Sequence, residues 1–357
     1  MLTAPPVAES PDHGEKDPAR GFPYCILYPN TSGFRIRTTR SKRNDDTTLH
    51  NLLVPDTRFS IVNVAYRRQI SAIMSSSSTT AEAACEPTPN VPSLNLFDLK
   101  GKVCLLTGGT RGIGQACAVA LVQAGASVIL AVRPGTAGSE SHPALKPLLD
   151  ATPSNGSESQ KHSTVDADLS DMEQVKTVFD RALTQSPTGS IDILVNCGGI
   201  QRRHPSTDFP ESDWDEVLNV NLKSVWLLSQ AAGRHMVARR SGKIINFGSL
   251  LTFQGGLTVP AYASAKGAVG QLTKALSNEW AKHNIQVNGI APGYIATDMN
   301  EKLLADPTRL RQISERIPAG RWGNPNDFAG PLLFLASNAS QYVSGEMLVV
   351  DGGWMGR

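Results

Sequence analysis

No Cys-x-x-Cys pair, no histidine spacing suited to a metal and no long apolar run appears in this 357-residue chain. The five cysteines, Cys25, Cys85, Cys104, Cys117 and Cys197, are scattered, and an odd count without framework spacing points to reduced thiols rather than a disulfide scaffold. Seven histidines are equally dispersed, with no His-Glu-x-x-His, so no metal site is expected. Charge of one sign is also missing. Lys+Arg number 34 against 32 Asp+Glu, which removes the electrostatic case for nucleic acid or an anionic membrane. The longest mostly apolar stretch, Cys117 to Val132, is interrupted by Gln123 and Gly125. It reads as a helix end, a turn and a strand rather than a membrane span. The expectation is a cytoplasmic protein with reduced thiols.

Residues 1–95 lack a sustained helical or strand period. They carry Pro5-Pro6, a charged stretch from Asp12 to Arg20, a basic cluster from Arg35 to Arg43 and the serine run Ser75 to Ser78. Too little apolar area is present there to offset the entropy of ordering, so a disordered extension is expected. Its basic middle suits an organellar presequence, but Glu9, Asp12, Glu15 and Asp17 near the start argue against one. Met74, just before the serines, is an alternative translation start that would leave residues 1–73 out of the working protein.

From Leu96 the pattern is regular and reads as one domain, 96–357. Strand-like runs at 103–107, 127–132, 163–165, 191–195, 243–247, 285–290 and 347–350 alternate with helical periods at 112–124, 171–183, 211–236, 261–283 and 325–336. A short helix is expected within the Pro-, Gly- and Ser-rich stretch 133–160, and Ser212 is a candidate N-cap for the long helix. This alternation predicts an α/β fold: a single Rossmann-type, doubly wound parallel sheet with helices on both faces.

The domain contains a glycine-rich turn, Thr107-Gly-Gly-Thr-Arg-Gly-Ile-Gly114, between its first strand and first helix. Gly108, Gly112 and Gly114 permit close backbone approach. With Ile113 they open a helix whose free N–H groups and positive dipole end suit a phosphate. Glycine also makes ordinary tight turns; the strand–turn–helix setting is what points to a dinucleotide. The second strand ends Ala131-Val132-Arg133, with no acid to hold a ribose diol. Arg111 and Arg133 offer two guanidiniums to a 2′-phosphate and favour NADP over NAD, unless Arg133 simply caps a solvated loop.

Tyr262 and Lys266 stand four apart in Tyr-Ala-Ser-Ala-Lys, on one face of the predicted helix. Ser249 precedes the tyrosine by thirteen residues and follows the strand pattern Lys-Ile-Ile-Asn-Phe-Gly. A free phenol has a pKa of about 10, and a neighbouring ammonium favours the phenolate. Lys266 is therefore expected to lower the phenol pKa and to hold a nicotinamide ribose. Ser249 is expected to donate to a substrate oxygen, and Asn221 to anchor a water that carries the proton onward. Taken singly, these are a surface pair, a strand end and a buried amide. Together, beside a dinucleotide turn, they point to a nicotinamide-dependent oxidoreductase.

The chain resembles the short-chain dehydrogenase/reductase family over about residues 96–357. The likeness rests on the glycine turn, Asn196-Cys-Gly-Gly199, Asn221, Ser249, Tyr262, Lys266 and Pro292-Gly293. It implies Tyr262 as general acid/base, Lys266 on the ribose, Ser249 on the carbonyl and Asn221 in a proton relay. It further implies Asp168 and Leu169 at the adenine, Asn196, Cys197 and Gly198 along the cofactor, and Ile295 and Thr297 at the nicotinamide carboxamide and phosphate. A homotetramer formed through the two long helices is also implied. The family usually reads Asn-Asn-Ala-Gly, so Cys197-Gly198 replace its central pair, and the lost amide is expected to loosen the cofactor.

A narrower likeness is to bacterial 2-deoxy-D-gluconate 3-dehydrogenases, also described as 2-dehydro-3-deoxy-D-gluconate 5-dehydrogenases. It rests on Gln201-Arg-Arg203, Phe253-Gln-Gly-Gly256, Asn278-Glu-Trp-Ala-Lys-His-Asn284 and Ile317-Pro-Ala-Gly-Arg-Trp-Gly323. It implies a sugar-acid substrate, with Arg202 or Arg203 clamping the carboxylate and Gln254 reading a hydroxyl. A solvated loop or subunit contact competes for the arginines, and a loop cap for Gln254. A ketone reductase of specialised metabolism and a non-catalytic dinucleotide sensor are the alternatives; the intact tetrad counts against the sensor.

Overall fold

The computed structural model describes residues 91–135, 142–153 and 160–357, together with two short strands, Leu27–Tyr28 and Arg35–Ile36. These two pair antiparallel and belong to a unit of their own, Met1–Pro87. Within the expected extension, that ladder and a 3-10 turn at Ser93–Phe97 are formed. The rest of it up to residue 90, Met74 included, lies outside the described residues.

The second unit, Thr88–Arg357, is built on a seven-stranded parallel sheet. Its strands are β1 Val103–Thr107, β2 Ser127–Val132, β3 Ser163–Asp166, β4 Ile193–Asn196, β5 Gly242–Phe247, β6 Ile285–Pro292 and β7 Met347–Val350, in the order β3-β2-β1-β4-β5-β6-β7. The principal helices are α1 Gly112–Gln123, α2 Lys146–Ala151, α3 Met172–Thr184, α4 Glu211–Leu218, α5 Ser224–Arg239, α6 Pro260–Trp280, α7 Glu301–Leu304, α8 Pro307–Arg316 and α9 Ala329–Ala336.

β1 is buried at every position because a parallel strand is covered on both faces. Alternate side chains take opposite sides. Cys104 and Leu106 join one core with Cys117 and Leu121 of α1, Leu332 of α9, and Phe328. Val103 and Leu105 join the other with Phe179 of α3 and Leu228 and Met236 of α5. The strand order reverses between β1 and β4, so the loops leaving these strands diverge and open a crevice at their carboxyl ends.

Two features depart from the sequence expectation. The helix expected over 211–236 is α4 and α5 joined by a π-helical turn, Asn219–Lys223, and its N-cap is Pro210 rather than Ser212. Helices α7 and α8 have no counterpart in the apolar pattern, because α8 buries only Ile313. Asp306 caps α8, accepting from the N–H groups of Thr308 and Arg309, and Pro307 opens it.

Candidate active site

β5 ends at Phe247, and Ser249 follows as the N-cap of a 3-10 turn, Leu250–Thr252. The Ser249 hydroxyl accepts from the Leu251 N–H at 3.2 Å, and the Thr252 hydroxyl accepts from the Ser249 N–H at 3.1 Å. Thr252 Oγ1 also donates to the Lys266 carbonyl at 3.0 Å, fastening the serine turn to α6. The sequence reading passes over Thr252, although the Ser-x-x-Thr spacing is the signal of a reciprocal cap.

Tyr262 and Lys266 share a face of α6 and are 9% and 4% exposed. Lys266 Nζ donates to the Phe247 carbonyl at 2.7 Å. The Ser249 hydroxyl lies close enough to the Tyr262 phenol to favour its ionised form. Burial pushes that phenol up to about 12; the Ser249 hydroxyl opposes the shift, Cys197 adds to it, and the positive charge of Arg203 opposes it. Arg203 thus adds a charge that favours the phenolate, and the Lys266 ammonium lies 5.6 Å from the centroid of the Tyr262 ring. Burial pulls Lys266 itself down to about 8, with Cys197 acting the other way.

Asn221 is fully buried within the π turn, a distortion that recurs at functional sites. Its Nδ2 donates to the carbonyls of Val217 and Ile200 at 3.0 and 2.9 Å, and its Oδ1 accepts from the Ile200 N–H at 3.1 Å. A Cβ on Gly199 would fall 2.6 Å from Asn221 Oδ1 and 3.9 Å from Lys266 Nζ. Glycine there lets the amide and the ammonium border one small polar niche.

The glycine turn faces this cluster across the crevice. Gly108 has φ +72°, and a Cβ on it would lie 2.8 Å from Gly198 Cα; one on Gly114 would run into the Gly108 carbonyl. Thr107 Oγ1 accepts from the N–H groups of both Cys197 and Gly198 at 3.1 Å, tying β1 to the loop after β4. Arg111, the N-cap of α1, makes no side-chain cap bond, so the first-turn N–H groups at Gly112, Ile113 and Gly114 are left for a ligand. A cradle this close and rich in donors fits a pyrophosphate. Leu169 packs on Gly198, where a Cβ would lie 2.5 Å from Leu169 Cδ1. Thr297 overlies the turn, its Cγ2 3.6 Å from the position of a Cβ on Gly112. Ile295 is held beside it by a parallel bridge to Gly323.

The remaining candidates divide. Asp168 accepts from the N–H and hydroxyl of Ser170, which hold its carboxyl below the usual range, and the charge of Arg133 adds to that. Arg111 is drawn instead toward Asp298, at 3.2 Å. Asn196, expected along the cofactor, is held by its Nδ2, which donates to Ser229 Oγ and Asn246 Oδ1 at 3.2 and 2.9 Å. The Cys197 thiol is pushed up to about 12 by burial, against the charge of Lys266. Arg202 is bound to Glu216 at 2.8 Å and to Asp213 at 4.0 Å, so its charge is already matched. Arg203 is exposed overall and makes no ion pair among the described residues; partial desolvation of its guanidinium lowers its pKa first, and the nearby groups acting on it are Tyr294, Arg309 and Tyr262. The next residue, His204, pins this loop to the segment before α6 through its N–H on the Thr258 carbonyl at 3.1 Å. Gln254 is half-buried, and its backbone N–H donates to the Leu250 carbonyl at 3.1 Å. Among the described residues, no helix is long and apolar enough to cross a membrane, and no cluster of three or more His, Cys, Asp or Glu could hold a metal.

Comparison with known proteins adds three kinds of likeness. Residues 108–355 match the family described as Enoyl-(Acyl carrier protein) reductase. The 2-dehydro-3-deoxy-D-gluconate 5-dehydrogenase of Escherichia coli K12 is 45% identical over 266 residues, covering 74% of this chain and 99% of its own. The enzyme of that name from Bacillus subtilis 168 is 48% identical over 261 residues, covering 73% and 97%. Among solved structures, a gluconate 5-dehydrogenase from Burkholderia cenocepacia J2315, in complex with NADP and tartrate, superposes with a TM-score of 0.67 at 38% identity, covering 74% of this chain and all of that one.

Proposed function

The chain belongs to the short-chain dehydrogenase/reductase family, and from that footing we propose that it interconverts a secondary alcohol and a ketone on a sugar acid, with NADP preferred over NAD. One observation carries the reading: the Tyr262 phenol, influenced by Ser249 and the charge of Arg203, shares a helix face with Lys266, which borders Gly199 next to the Gly108–Gly198 cradle. The nicotinamide, when bound, supplies the hydride acceptor or donor. Tyr262 takes or gives the hydroxyl proton, and Ser249 holds the same oxygen. Lys266 and Asn221 pass the proton on through the niche at Gly199, and Lys266 also holds the ribose.

The sugar-acid assignment is supported by the names of the relatives and by Arg203, whose guanidinium suits a carboxylate beside the phenol. Gln254 is placed to read a hydroxyl. NADP is supported by Arg111 and Arg133 at the nucleotide edge, by the absence of an acid at the end of β2, and by the NADP in the Burkholderia structure. Helices α4, α5 and α6 are the faces for a homotetramer, and Trp226 of α5 is 40% exposed there. Scattered reduced thiols fit the cytoplasm.

The test crosses both nucleotides with sugar acids, the matching neutral polyols and hydrophobic ketones, following nicotinamide absorbance. Sugar acids are expected to exceed the neutral polyols in kcat/KM by roughly tenfold or more, the worth of a charged hydrogen bond. Preferential turnover of hydrophobic ketones would favour the ketone reductase reading. Tight NADPH binding with no turnover of any compound would favour the sensor.

A further inference from the structure

We propose that Asp298 sets the discrimination between NADP and NAD by competing with the 2′-phosphate for Arg111. The inference rests on the reading that this chain uses NADP and that Arg111 meets its 2′-phosphate.

Arg111 is the last residue of the glycine turn before α1. Asp298 opens the 3-10 turn Asp298–Asn300, directly after Thr297, the residue that overlies Gly112. Their ion pair, Arg111 Nη1 to Asp298 Oδ2 at 3.2 Å, therefore runs across the mouth of the phosphate cradle and ties the turn to the segment leading into α7. It is a single contact between side chains that are 77% and 69% exposed. A pair of that kind is weak, being screened by water and salt. A phosphate carries more charge than a carboxylate and can take both arms of the guanidinium fork. It can draw Arg111 away, but only after displacing Asp298, because two anions sharing one guanidinium repel each other.

NAD presents a neutral ribose diol and leaves the pair intact. The cost of displacing Asp298 therefore falls on NADP alone and narrows a selectivity that the arginine would otherwise confer. At the same nucleotide edge, Asp168 lies within the field of Arg133, so each basic residue there has an acid of the chain in opposition.

The experiment measures dissociation constants for NADP and NAD by calorimetry, at one low ionic strength, on the wild type, Asp298→Asn, Arg111→Gln and the double variant. The ratio of the two constants is the readout, and the Arg111→Gln background is its control, because removing an acid tightens the more highly charged NADP more than NAD even without competition for the arginine. Asp298→Asn is expected to shift the ratio toward NADP by about two- to fivefold, the range of an exposed ion pair. Arg111→Gln is expected to shift it toward NAD by about tenfold. In the Arg111→Gln background, Asp298→Asn is expected to shift the ratio less than it does in the wild type; an equal shift there would overturn the competition. If Asp298→Asn leaves the ratio unchanged, or moves it toward NAD, while Arg111→Gln still shifts it, the competition is wrong and the nucleotide reading stands. If Arg111→Gln itself leaves the ratio unaltered, the reading of Arg111 fails and takes the competition with it.

Discussion

Lys266 Nζ lies 5.6 Å from the centroid of the Tyr262 ring while it donates to the Phe247 carbonyl at 2.7 Å. The lysine is fastened to the end of β5, beside the niche at Gly199, and the phenol is engaged by Ser249. Their replacements should therefore fail differently. Tyr262→Phe removes the proton donor and is expected to lower kcat by about 10²–10⁴-fold, with the NADP dissociation constant unchanged. Lys266→Met is expected to weaken NADP binding as well as kcat. Steady-state rates paired with nucleotide titration separate the two, and full turnover by Tyr262→Phe would remove the phenol from the chemistry.

The adjacent arginines should also separate. Arg203 acts on the phenol, whereas Arg202 is matched by Glu216. Arg203→Gln is expected to raise KM for a sugar acid by roughly tenfold or more. It also removes a positive charge that favours the phenolate, so the alkaline rise in oxidation rate should move to higher pH. Arg202→Gln breaks a pair whose side chains are 40% and 36% exposed, which limits its loss of stability to about 1 kcal/mol or less, with KM unchanged. Equal KM effects in the two variants would sink this division.

Much of this was legible from local pattern. A strand buried on both faces, such as Val103–Thr107, reads as an unbroken apolar run, and Tyr262 with Lys266 needs only one helical turn to be recognised. The π turn was not legible, because an apolar helical period continues across it from Val217 and Val220 to Val225 and Leu228. Helix α8 was missed because one buried isoleucine makes no period. The opposed fates of Arg202 and Arg203 depend on where α4 sets Glu216, and the roles of Thr107 and Asp298 depend on partners far along the chain. Such pairings arise only once the sheet brings the loops after β1, β4 and β6 together.

Thr107 permits a test of that assembly. Its hydroxyl accepts from two backbone N–H groups, at Cys197 and Gly198, and the residue is 2% exposed. Thr107→Val preserves shape and removes the acceptor. Leaving buried donors unsatisfied costs about 1–3 kcal/mol each, so with two donors urea unfolding should show a loss of roughly 2–6 kcal/mol. The loop at 197–199 borders the cradle, so NADP affinity should fall as well. Unchanged stability would mean that the two N–H groups find another acceptor.

The described thiols should be inert in the native state. Burial raises the pKa of Cys104 and Cys117 well above the ordinary thiol value and that of Cys197 up to about 12. The thiolate is the reactive form, so alkylation near neutral pH should spare these three residues until the protein is unfolded. Peptide mass spectrometry after a timed iodoacetamide pulse, with and without urea, reads each site separately. Rapid native labelling of Cys197 would show that its thiol is less enclosed than its position beside Lys266 indicates.

Lys243, at the end of β5 away from the phenol, is 7% exposed, and its ammonium makes one contact of 3.4 Å with Ser340 Oγ. Burial lowers its pKa from 10.5 to about 8. A lysine whose folded value lies below its unfolded value opposes folding while both states hold the proton. Below about pH 8 that penalty is fully present. Between about pH 8 and 10.5 the unfolded chain binds a proton that the native state does not, so stability rises with pH. Lys266, also drawn down to about 8, acts in the same direction, whereas Tyr262, pushed up to about 12, makes stability fall above about pH 10. A drop from 10.5 to about 8 corresponds to roughly 3 kcal/mol at neutral pH, before any bound water offsets it. Lys243→Met keeps an apolar stem and removes the charge. It is expected to stabilise the protein at pH 7 by about 1–3 kcal/mol, to flatten the rise between about pH 8 and 10, and to leave kcat unchanged. Urea unfolding of both proteins across that range checks the sign. A variant that is less stable at pH 7, with the wild-type slope retained, would show that the fold satisfies this ammonium.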